Sequence, residues 1–198
     1  MSTTGVGGDG TGRAGTGRGR RGPAIPGTGR IERAEGTAVG GTGTVVFDVD
    51  GVVADVRHRL HHLAGRSRDW AGFFAEAGAD PPLVEGVTLA RSLAVEHEVV
   101  WLTGRPEQLR AVTLGWLSGH LCPAGRLVMR PDGDHRPARR FKREALRRLR
   151  RTDRVVLVVD DDPDVVDMVE QEGLTARLAD WVPRTPLLHV AQERDGRT

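Results

Sequence analysis

Aspartate and threonine side chains lie at the ends of three Val- and Leu-rich runs of this 198-residue chain. Asp48 and Asp50 follow the run TVVF, Thr103 ends the run EVVWLT, and Asp160 and Asp161 follow the run RVVLVV. Carboxylates that lie close together repel one another unless a cation neutralises them. Hard oxygen ligands favour Mg²⁺, which often shares a phosphate. If the runs end at one edge of the fold, these side chains predict a Mg²⁺ site that accepts a phosphoryl group.

The two aspartates of the first motif suit phosphoryl transfer in two steps. One carboxylate attacks phosphorus in line and forms an aspartyl-phosphate, while the other gives a proton to the leaving oxygen. The side chain of Thr103 can donate its hydroxyl to a phosphoryl oxygen, and Asp161 can complete the metal shell. The residues alone leave open which carboxylate takes which role.

Lys142 is the single lysine of the chain, whereas the other residues among the 29 Lys plus Arg are arginines. An ammonium is a compact point charge and a guanidinium is a planar fork, so the two are not interchangeable where one charge must be met. At the start of a predicted helix, Lys142 can contact both the nucleophile and the negative charge that builds on the phosphoryl oxygens. The alternative is a lysine on a solvated basic helix, which the other motifs disfavour.

Five apolar runs and five amphipathic patterns would position these residues. The runs predict buried parallel strands at 44–49, 98–103, 126–130, 154–159 and 174–179. The amphipathic patterns predict helices at 68–77, 85–96, 106–120, 139–151 and 163–172. Alternation of strand and helix predicts a doubly wound, Rossmann-like α/β sheet. Ligands of such sheets bind beyond the carboxyl ends of the strands, where the motif residues are expected.

Composition limits the remaining classes of protein. No apolar run is long enough for a membrane span, and the N-terminus has no apolar core of a secretory signal, so we expect a cytoplasmic location. The single cysteine, Cys122, cannot form an internal disulfide. Residues 1–43 are rich in Gly, Thr and Arg and are predicted to be disordered. The folded domain is expected over 44–190, followed by a flexible C-terminus at 191–198.

Four motifs occur in a recognisable order: FDVDG (47–51), LTGR (102–105), Lys142 and VDDDPD (159–164). Together they resemble the haloacid-dehalogenase-like phosphohydrolases over residues 44–182. One position departs from the family pattern, since many members carry Thr where this chain has Val52. The segments between the motifs are too short for a large cap domain. We therefore expect an uncapped site that can admit the end of a macromolecule.

The resemblance implies a role for each motif residue. Asp48 would be the nucleophile and Asp50 the general acid and base, while Thr103 and Lys142 would hold the transferring phosphoryl group. Three groups would bind Mg²⁺: the Asp48 carboxylate, the Asp50 backbone carbonyl and the Asp161 carboxylate. Asp160 would support that metal shell.

A closer resemblance concerns LVMRPDGDHRPARRFKREAL (127–146) and VVDDDPDVVDMVEQEGL (158–174). Both segments are similar to the phosphatase domain of polynucleotide kinase/phosphatases, which removes a terminal phosphate, typically a 3′-phosphate, from nucleic-acid ends. The P-loop motif G-x-x-x-x-G-K-[ST] of the kinase half does not occur in the sequence. By this resemblance, the substrate side would be lined by Gly104, Arg105, Arg130, Asp134 and Arg136.

Two other functions remain open from the sequence: a small-molecule phosphatase, and a catalytically silent module that binds nucleic acid. Residues 126–154 carry 12 Lys plus Arg against 4 Asp plus Glu, and such a surplus can steer a polyanion. However, Phe141 and Leu146 lie on the apolar stripe of a predicted helix, so many of these arginines are expected on its solvent-exposed face.

Histidine and tryptophan side chains offer weaker signals. His58 and His62 are four residues apart and could share a metal, but the pattern supplies no carboxylate partner. Trp70 and Trp181 are the better candidates among the four tryptophans for stacking on a base.

Overall fold

The computed structural model describes residues 43–65, 67–183 and 186–195, apart from the side chain of Glu193. Nearly all of the predicted N-terminal tail, and residues 196–198, lie outside the described residues. Among the described residues, no helix is both long and apolar enough to cross a membrane.

Five parallel strands form one sheet, which confirms the predicted α/β class. The strands are β1 (Thr44–Phe47), β2 (Glu98–Pro106), β3 (Arg126–Arg130), β4 (Val155–Asp160) and β5 (Ala176–Leu178). Their order is β3-β2-β1-β4-β5, so β1 lies at the centre between β2 and β4. The strand order reverses at β1, and ligands of doubly wound sheets bind in the crevice at such a point. The three motif-bearing strands are therefore neighbours.

The described residues contain six α-helices and three 3₁₀ helices, of which all but the last α-helix lie between strands. The α-helices are α1 (Trp70–Ala75), α2 (Val84–Leu93), α3 (Arg110–Gly119), α4 (Ala138–Leu149), α5 (Pro163–Gln171) and α6 (Pro186–Asp195). The 3₁₀ helices are Val56–Leu63, Ala77–Ala79 and Glu107–Leu109. Each predicted helix is present with shifted ends, and the predicted helix 68–77 divides into α1 and a 3₁₀ turn.

Alternate residues of β1 face opposite sides of the sheet, as the two-residue period of a strand requires. Val45 and Phe47 lie in an apolar cluster with side chains of α2 and α3, including Trp116. Val46 lies in a second cluster with side chains of α4 and α5, including Phe141. Because both faces are covered, the strands are near-continuous apolar runs, which is why they could be located from the sequence.

A third apolar cluster joins the 3₁₀ helix 56–63 and α1 to the C-terminal helix α6. Leu188 and Ala191 of α6 are buried in it, and Asp195 accepts a hydrogen bond from Trp70 Nε1 at 2.9 Å. The helix α6 thus extends through residues 191–195, which the sequence predicts to be a flexible C-terminus, and Leu187 also packs against the cluster. Trp70 is buried here, so its ring is not free to stack on a base, whereas Trp181 is half-buried and donates its indole N–H to the Val52 carbonyl.

Candidate active site

The carboxyl ends of β1, β2 and β4 meet at one cavity. Its walls are formed by Asp48, Asp50, Thr103, Gly104, Ala138, Lys142, Asp161, Asp162 and Gln192. The structure therefore brings the predicted catalytic and metal-binding positions together, with Asp160 bonded to Lys142 beside them.

The turn after β1 sets the direction of its two aspartates. The backbone N–H of Asp48 still donates to Val159 of β4 at 3.0 Å, so Asp48 keeps its place in the sheet. The next residues form a tight turn in which three N–H groups, those of residues 52–54, point at the Val49 carbonyl. Gly51 has φ +76°, and a methyl group there would collide with the Asp161 carboxylate. Only glycine suits this position, because it tolerates positive φ and allows the close approach.

The first of two buried charge clusters, here called the lysine cluster, comprises Lys142, Asp48, Asp160 and Asp161. Lys142 Nζ donates to Asp48 Oδ2 at 2.7 Å and to Asp160 Oδ2 at 2.6 Å. One carboxylate oxygen from each of the three aspartates lies within 4.8 Å of the others. Three carboxylates thus face one ammonium, which leaves a net charge of −2 when all four groups are ionised.

The electrostatics of the lysine cluster show that it lacks positive charge. Burial would lower the pKa of Lys142, but the charges of Asp160 and Asp48 outweigh it and raise the pKa, so the ammonium stays charged. Burial raises the pKa of Asp160 to about 7 although Lys142 opposes the shift. The pKa of Asp161 is raised well above its usual value by burial and by the charges of Asp160 and Asp48. A divalent cation would supply the missing charge, and the all-oxygen donor set fits Mg²⁺.

The second cluster, here called the arginine cluster, comprises Asp50, Arg59, Asp80 and Arg105. Asp50 Oδ1 accepts from Arg105 Nε at 2.9 Å and from Arg59 Nη2 at 3.0 Å. Asp80 accepts from the same two guanidiniums, at 2.7 Å from Arg59 Nε and 2.6 Å from Arg105 Nη2. All four side chains are buried, and two carboxylates are matched by two guanidiniums.

The arginine cluster sets the protonation of Asp50. Burial alone would raise the pKa of Asp50, but the charges of Arg105 and Arg59 outweigh it and lower the pKa. Asp50 is therefore ionised before a substrate binds, which is the form that accepts a proton.

Of the five predicted substrate-side residues, one lines the cavity, two are buried arginines and two pair with each other near the surface. Arg105 is fully buried behind Asp50, so its placement on the substrate side is wrong. Arg130 is also buried, and its guanidinium donates to the backbone carbonyls of Gly104 and Arg136. Asp134 pairs with Arg136 at 2.6 Å, and this hydrogen bond lowers its pKa to about 2. Gly104 lines the cavity, and the side chain of Arg136 is 48% exposed.

Carboxylates neutralise much of the basic segment 126–154. Arg147 and Arg143 lie 2.7 Å and 3.4 Å from Glu172, and Arg126 lies 2.5 Å from Asp153. The positive charge available to a polyanion is consequently smaller than the residue count of the segment suggests.

Arg59, Asp80 and Gln192 are site residues that the sequence analysis missed. Arg59 had a usable signal, because it lies on the same face of its 3₁₀ helix as the buried side chains of Val56 and Leu60. A charged residue within an apolar stripe indicates a buried ion pair. The sequence gives no comparable signal for Asp80 or Gln192, since only the tertiary fold brings them to the site.

Comparison with known proteins agrees with this geometry. Residues 42–178 match the family model of the polynucleotide kinase PNKP phosphatase domain. No curated protein matches the chain by sequence.

Solved structures with similar folds include two structures of RNA repair proteins. A chain of the Pnkp1/Rnl/Hen1 RNA repair complex superposes with a TM-score of 0.57 at 22% identity, over 69% of this chain and 42% of that chain. A second structure of the Pnkp1/Rnl/Hen1 complex gives 0.59 at 23% identity, over 69% and 45% of the two chains. A haloacid-dehalogenase-like hydrolase from Streptococcus pneumoniae gives 0.49 at 10% identity, over 68% and 82%.

The chain spans less than half the length of the two RNA repair chains that it matches. The family match covers most of this chain, from just before β1 to the end of β5. The chain therefore belongs to the haloacid-dehalogenase-like family of polynucleotide kinase phosphatase domains.

Proposed function

We propose that the protein is a Mg²⁺-dependent phosphomonoester hydrolase that works through an aspartyl-phosphate on Asp48. The observation that carries the proposal is the lysine cluster, in which two buried carboxylates and one half-buried carboxylate are matched by one ammonium beside the cavity. An excess of buried negative charge is unfavourable unless a cation binds there. The family to which the chain belongs supports a phosphatase as the class of enzyme.

In this proposal Asp48 and Asp161, with the backbone carbonyl of Asp50, would hold Mg²⁺, which would supply positive charge to the phosphoryl oxygens. Lys142 would place its ammonium between the nucleophile and the phosphoryl group. Thr103 would donate its hydroxyl to another phosphoryl oxygen, since it lines the same cavity. These groups are fixed before the reaction, so they stabilise the developing charge without reorganisation.

The reaction would proceed in two displacements at phosphorus. An Asp48 carboxylate oxygen forms a bond to phosphorus while the bond to the ester oxygen breaks, and protonated Asp50 gives that oxygen its proton. Water then attacks phosphorus, Asp50 takes the proton back, and the Asp48–phosphorus bond breaks to release phosphate.

Asp50 must be protonated for the first displacement, although its arginine partners favour the ionised form. The incoming phosphate dianion adds negative charge beside Asp50 and so raises its pKa, which favours uptake of a proton. In the second displacement, the arginines favour the ionised base. The substrate phosphate would thus favour the acid form of Asp50 in the first half-reaction, and the arginine cluster would favour its base form in the second.

As the natural substrate we propose a 3′-phosphorylated nucleic-acid end. Family membership and the fold shared with a chain of an RNA repair complex support this substrate class. Between β1 and α2 the described residues form only short helices, so no cap domain separates the cavity from a large substrate. Arg136 is half-exposed, but its guanidinium pairs with Asp134 and Glu144 and would have to leave one of them to meet a backbone phosphate. The pairing of the α4 arginines favours the alternative of a small phosphomonoester.

Turnover of matched substrates tests the proposal. A 3′-phosphorylated oligonucleotide, the same oligonucleotide with a 5′-phosphate, and a 3′-mononucleotide are compared in Mg²⁺, each as DNA and RNA. Asp48→Asn protein purified in parallel reports any contaminating phosphatase. We expect the 3′-phosphorylated oligonucleotide to have the highest kcat/KM. Equal or faster turnover of the mononucleotide would indicate a small-molecule phosphatase, and RNA binding without hydrolysis of any substrate would indicate a silent binding module.

A further inference from the structure

A group of two histidines and a glutamate lies outside the candidate active site. His61 and His62 belong to the 3₁₀ helix 56–63, and Glu76 directly follows α1. One potential ligand atom from each residue lies within 4.8 Å of the other two. The imidazole rings of the two histidines are 4.0 Å apart between centroids. The fold thus supplies the carboxylate partner that the sequence pattern around the histidines lacked.

Both imidazoles are held in place through their Nδ1 atoms. His61 Nδ1 lies 3.0 Å from the backbone carbonyl of His58, and His62 Nδ1 lies 3.2 Å from Asp69 Oδ2. Acceptors at these positions place a proton on each Nδ1 and leave each Nε2 with a free lone pair. Histidines that bind metals usually have this kind of support, because it fixes the ring and its tautomer.

The ring of His62 and the carboxylate of Glu76 face each other across a short gap. His62 Nε2 is buried and has no hydrogen-bond partner among the described residues, although Glu76 Oε1 lies 3.2 Å away. With the proton on Nδ1, two lone pairs would face each other across this gap. A buried acceptor without a donor is unfavourable, and a cation between the nitrogen and the oxygen would remove the conflict.

We infer that His61, His62 and Glu76 form a binding site for a transition-metal ion of the Zn²⁺ type. Two imidazole nitrogens and one carboxylate oxygen are ligands that suit Zn²⁺ and Co²⁺, whereas Mg²⁺ prefers oxygen alone. His61 is exposed, so water can complete the coordination.

The ion would link the 3₁₀ helix 56–63 to the end of α1. That 3₁₀ helix also carries Arg59, whose guanidinium contacts Asp50 and Asp80. The metal would therefore brace the element that holds the arginine cluster. His58 is a neighbour of the group and not one of its three members, since its Nε2 lies 2.8 Å from Asp80 Oδ1 and its Nδ1 lies 3.8 Å from Glu76 Oε2. The inference stands independently of the proposed phosphatase activity, since none of the three ligands lines the catalytic cavity.

Titration of the full chain with Co²⁺ tests the site directly. The protein carries no histidine tag, is stripped of metal with a chelator, and is kept in millimolar Mg²⁺ so that the carboxylates of the lysine cluster are occupied. We expect visible d–d absorption that saturates at one equivalent of Co²⁺ and disappears when Zn²⁺ is added.

Substitutions identify the ligands. His61→Gln, His62→Gln and Glu76→Gln are each expected to weaken Co²⁺ binding at least about tenfold, and Asp69→Asn about tenfold through the orientation of His62. The control is His135→Gln, which changes an exposed histidine on another loop and should bind Co²⁺ like the wild type.

His61→Gln alters an exposed side chain, so unfolding does not complicate its result. Saturation at one equivalent that survives both His61→Gln and Glu76→Gln would overturn the site. Equal weakening by His135→Gln would show that the loss is not specific to these ligands, and the absence of saturable absorption would show that His62 and Glu76 form only an ion pair; either result would overturn the site.

Discussion

Two clusters of buried charges meet at the end of β1, and they differ in charge balance. The arginine cluster matches two carboxylates with two guanidiniums through hydrogen bonds of 2.5–3.0 Å. The lysine cluster gives three carboxylates one ammonium, although its two hydrogen bonds are equally short. Asp48 and Asp50, only two residues apart, belong to different clusters.

This difference in charge balance gives the arginine cluster a role in stability and the lysine cluster a role in chemistry. A balanced buried cluster is satisfied without a ligand, so its members hold structure and adjust the pKa of Asp50. An unbalanced cluster is strained until a cation binds, so its members are available to a metal and a phosphoryl group. Substitutions in the two clusters should consequently have different and in part opposite effects.

The largest effect is expected from Asp48→Asn, which removes the proposed nucleophile. Turnover of a 3′-phosphorylated oligonucleotide should fall at least about 10⁴-fold, because an amide cannot form the covalent intermediate. The unfolding temperature in Mg²⁺-free buffer should stay the same or rise, since one repelling charge is lost. Near-normal hydrolysis by this variant would refute the assignment of Asp48.

Removing one carboxylate from each cluster should change the free energy of unfolding in opposite directions. Asp80→Ala leaves two buried guanidiniums with one carboxylate and should destabilise the protein by about 3–5 kcal/mol. Asp161→Ala in Mg²⁺-free buffer should be neutral or stabilising, because it reduces the charge excess. Urea unfolding of both variants at neutral pH measures the difference, and equal destabilisation would contradict the comparison.

A smaller effect is expected from Lys142→Arg, which keeps the charge and changes its shape. The two carboxylate oxygens lie 2.7 Å and 2.6 Å from one nitrogen, a geometry that a planar fork cannot reproduce. We expect kcat to fall about 100-fold. Arg151→Lys, an exposed exchange just after α4, should stay within experimental error of the wild type. Normal kcat for Lys142→Arg would show that any cation suffices.

The smallest effect is expected in the pH dependence of stability, to which Asp160 of the lysine cluster contributes. The pKa of Asp160 is about 7 in the folded protein against an ordinary value of 3.8. Between these values the folded state binds more protons than the unfolded state, so stability falls as pH rises through this window. In Mg²⁺-free buffer the unfolding temperature should therefore decline by a few degrees, and Asp160→Asn should flatten the decline. A wild-type profile that rises over the same window would show that Asp160 is not the controlling group.

The parts of the fold that could be predicted from the sequence are the apolar strands and the polar site residues at their ends. The buried parallel strands are continuous Val and Leu runs, so the sheet and the edge that carries Asp48, Thr103 and Asp161 could be predicted. The strand order could not be predicted, because it depends on which helices cover which face. The family resemblance placed Arg105 on the substrate side, whereas its position is decided by Asp50 and by Asp80, which is 25 residues away in sequence. The helix α6 was missed because its docking depends on a cluster formed by distant segments.

Calorimetric titration with Mg²⁺ tests the central claim that the unbalanced lysine cluster is the metal site. Wild-type protein should bind one Mg²⁺, Asp161→Asn should bind it at least about tenfold more weakly, and Asp167→Asn should bind it like the wild type. Asp167 is a suitable control because it is an exposed carboxylate of α5 that belongs to none of the groups of potential metal ligands. Wild-type affinity for Mg²⁺ in Asp161→Asn, or no binding by the wild type, would contradict the account.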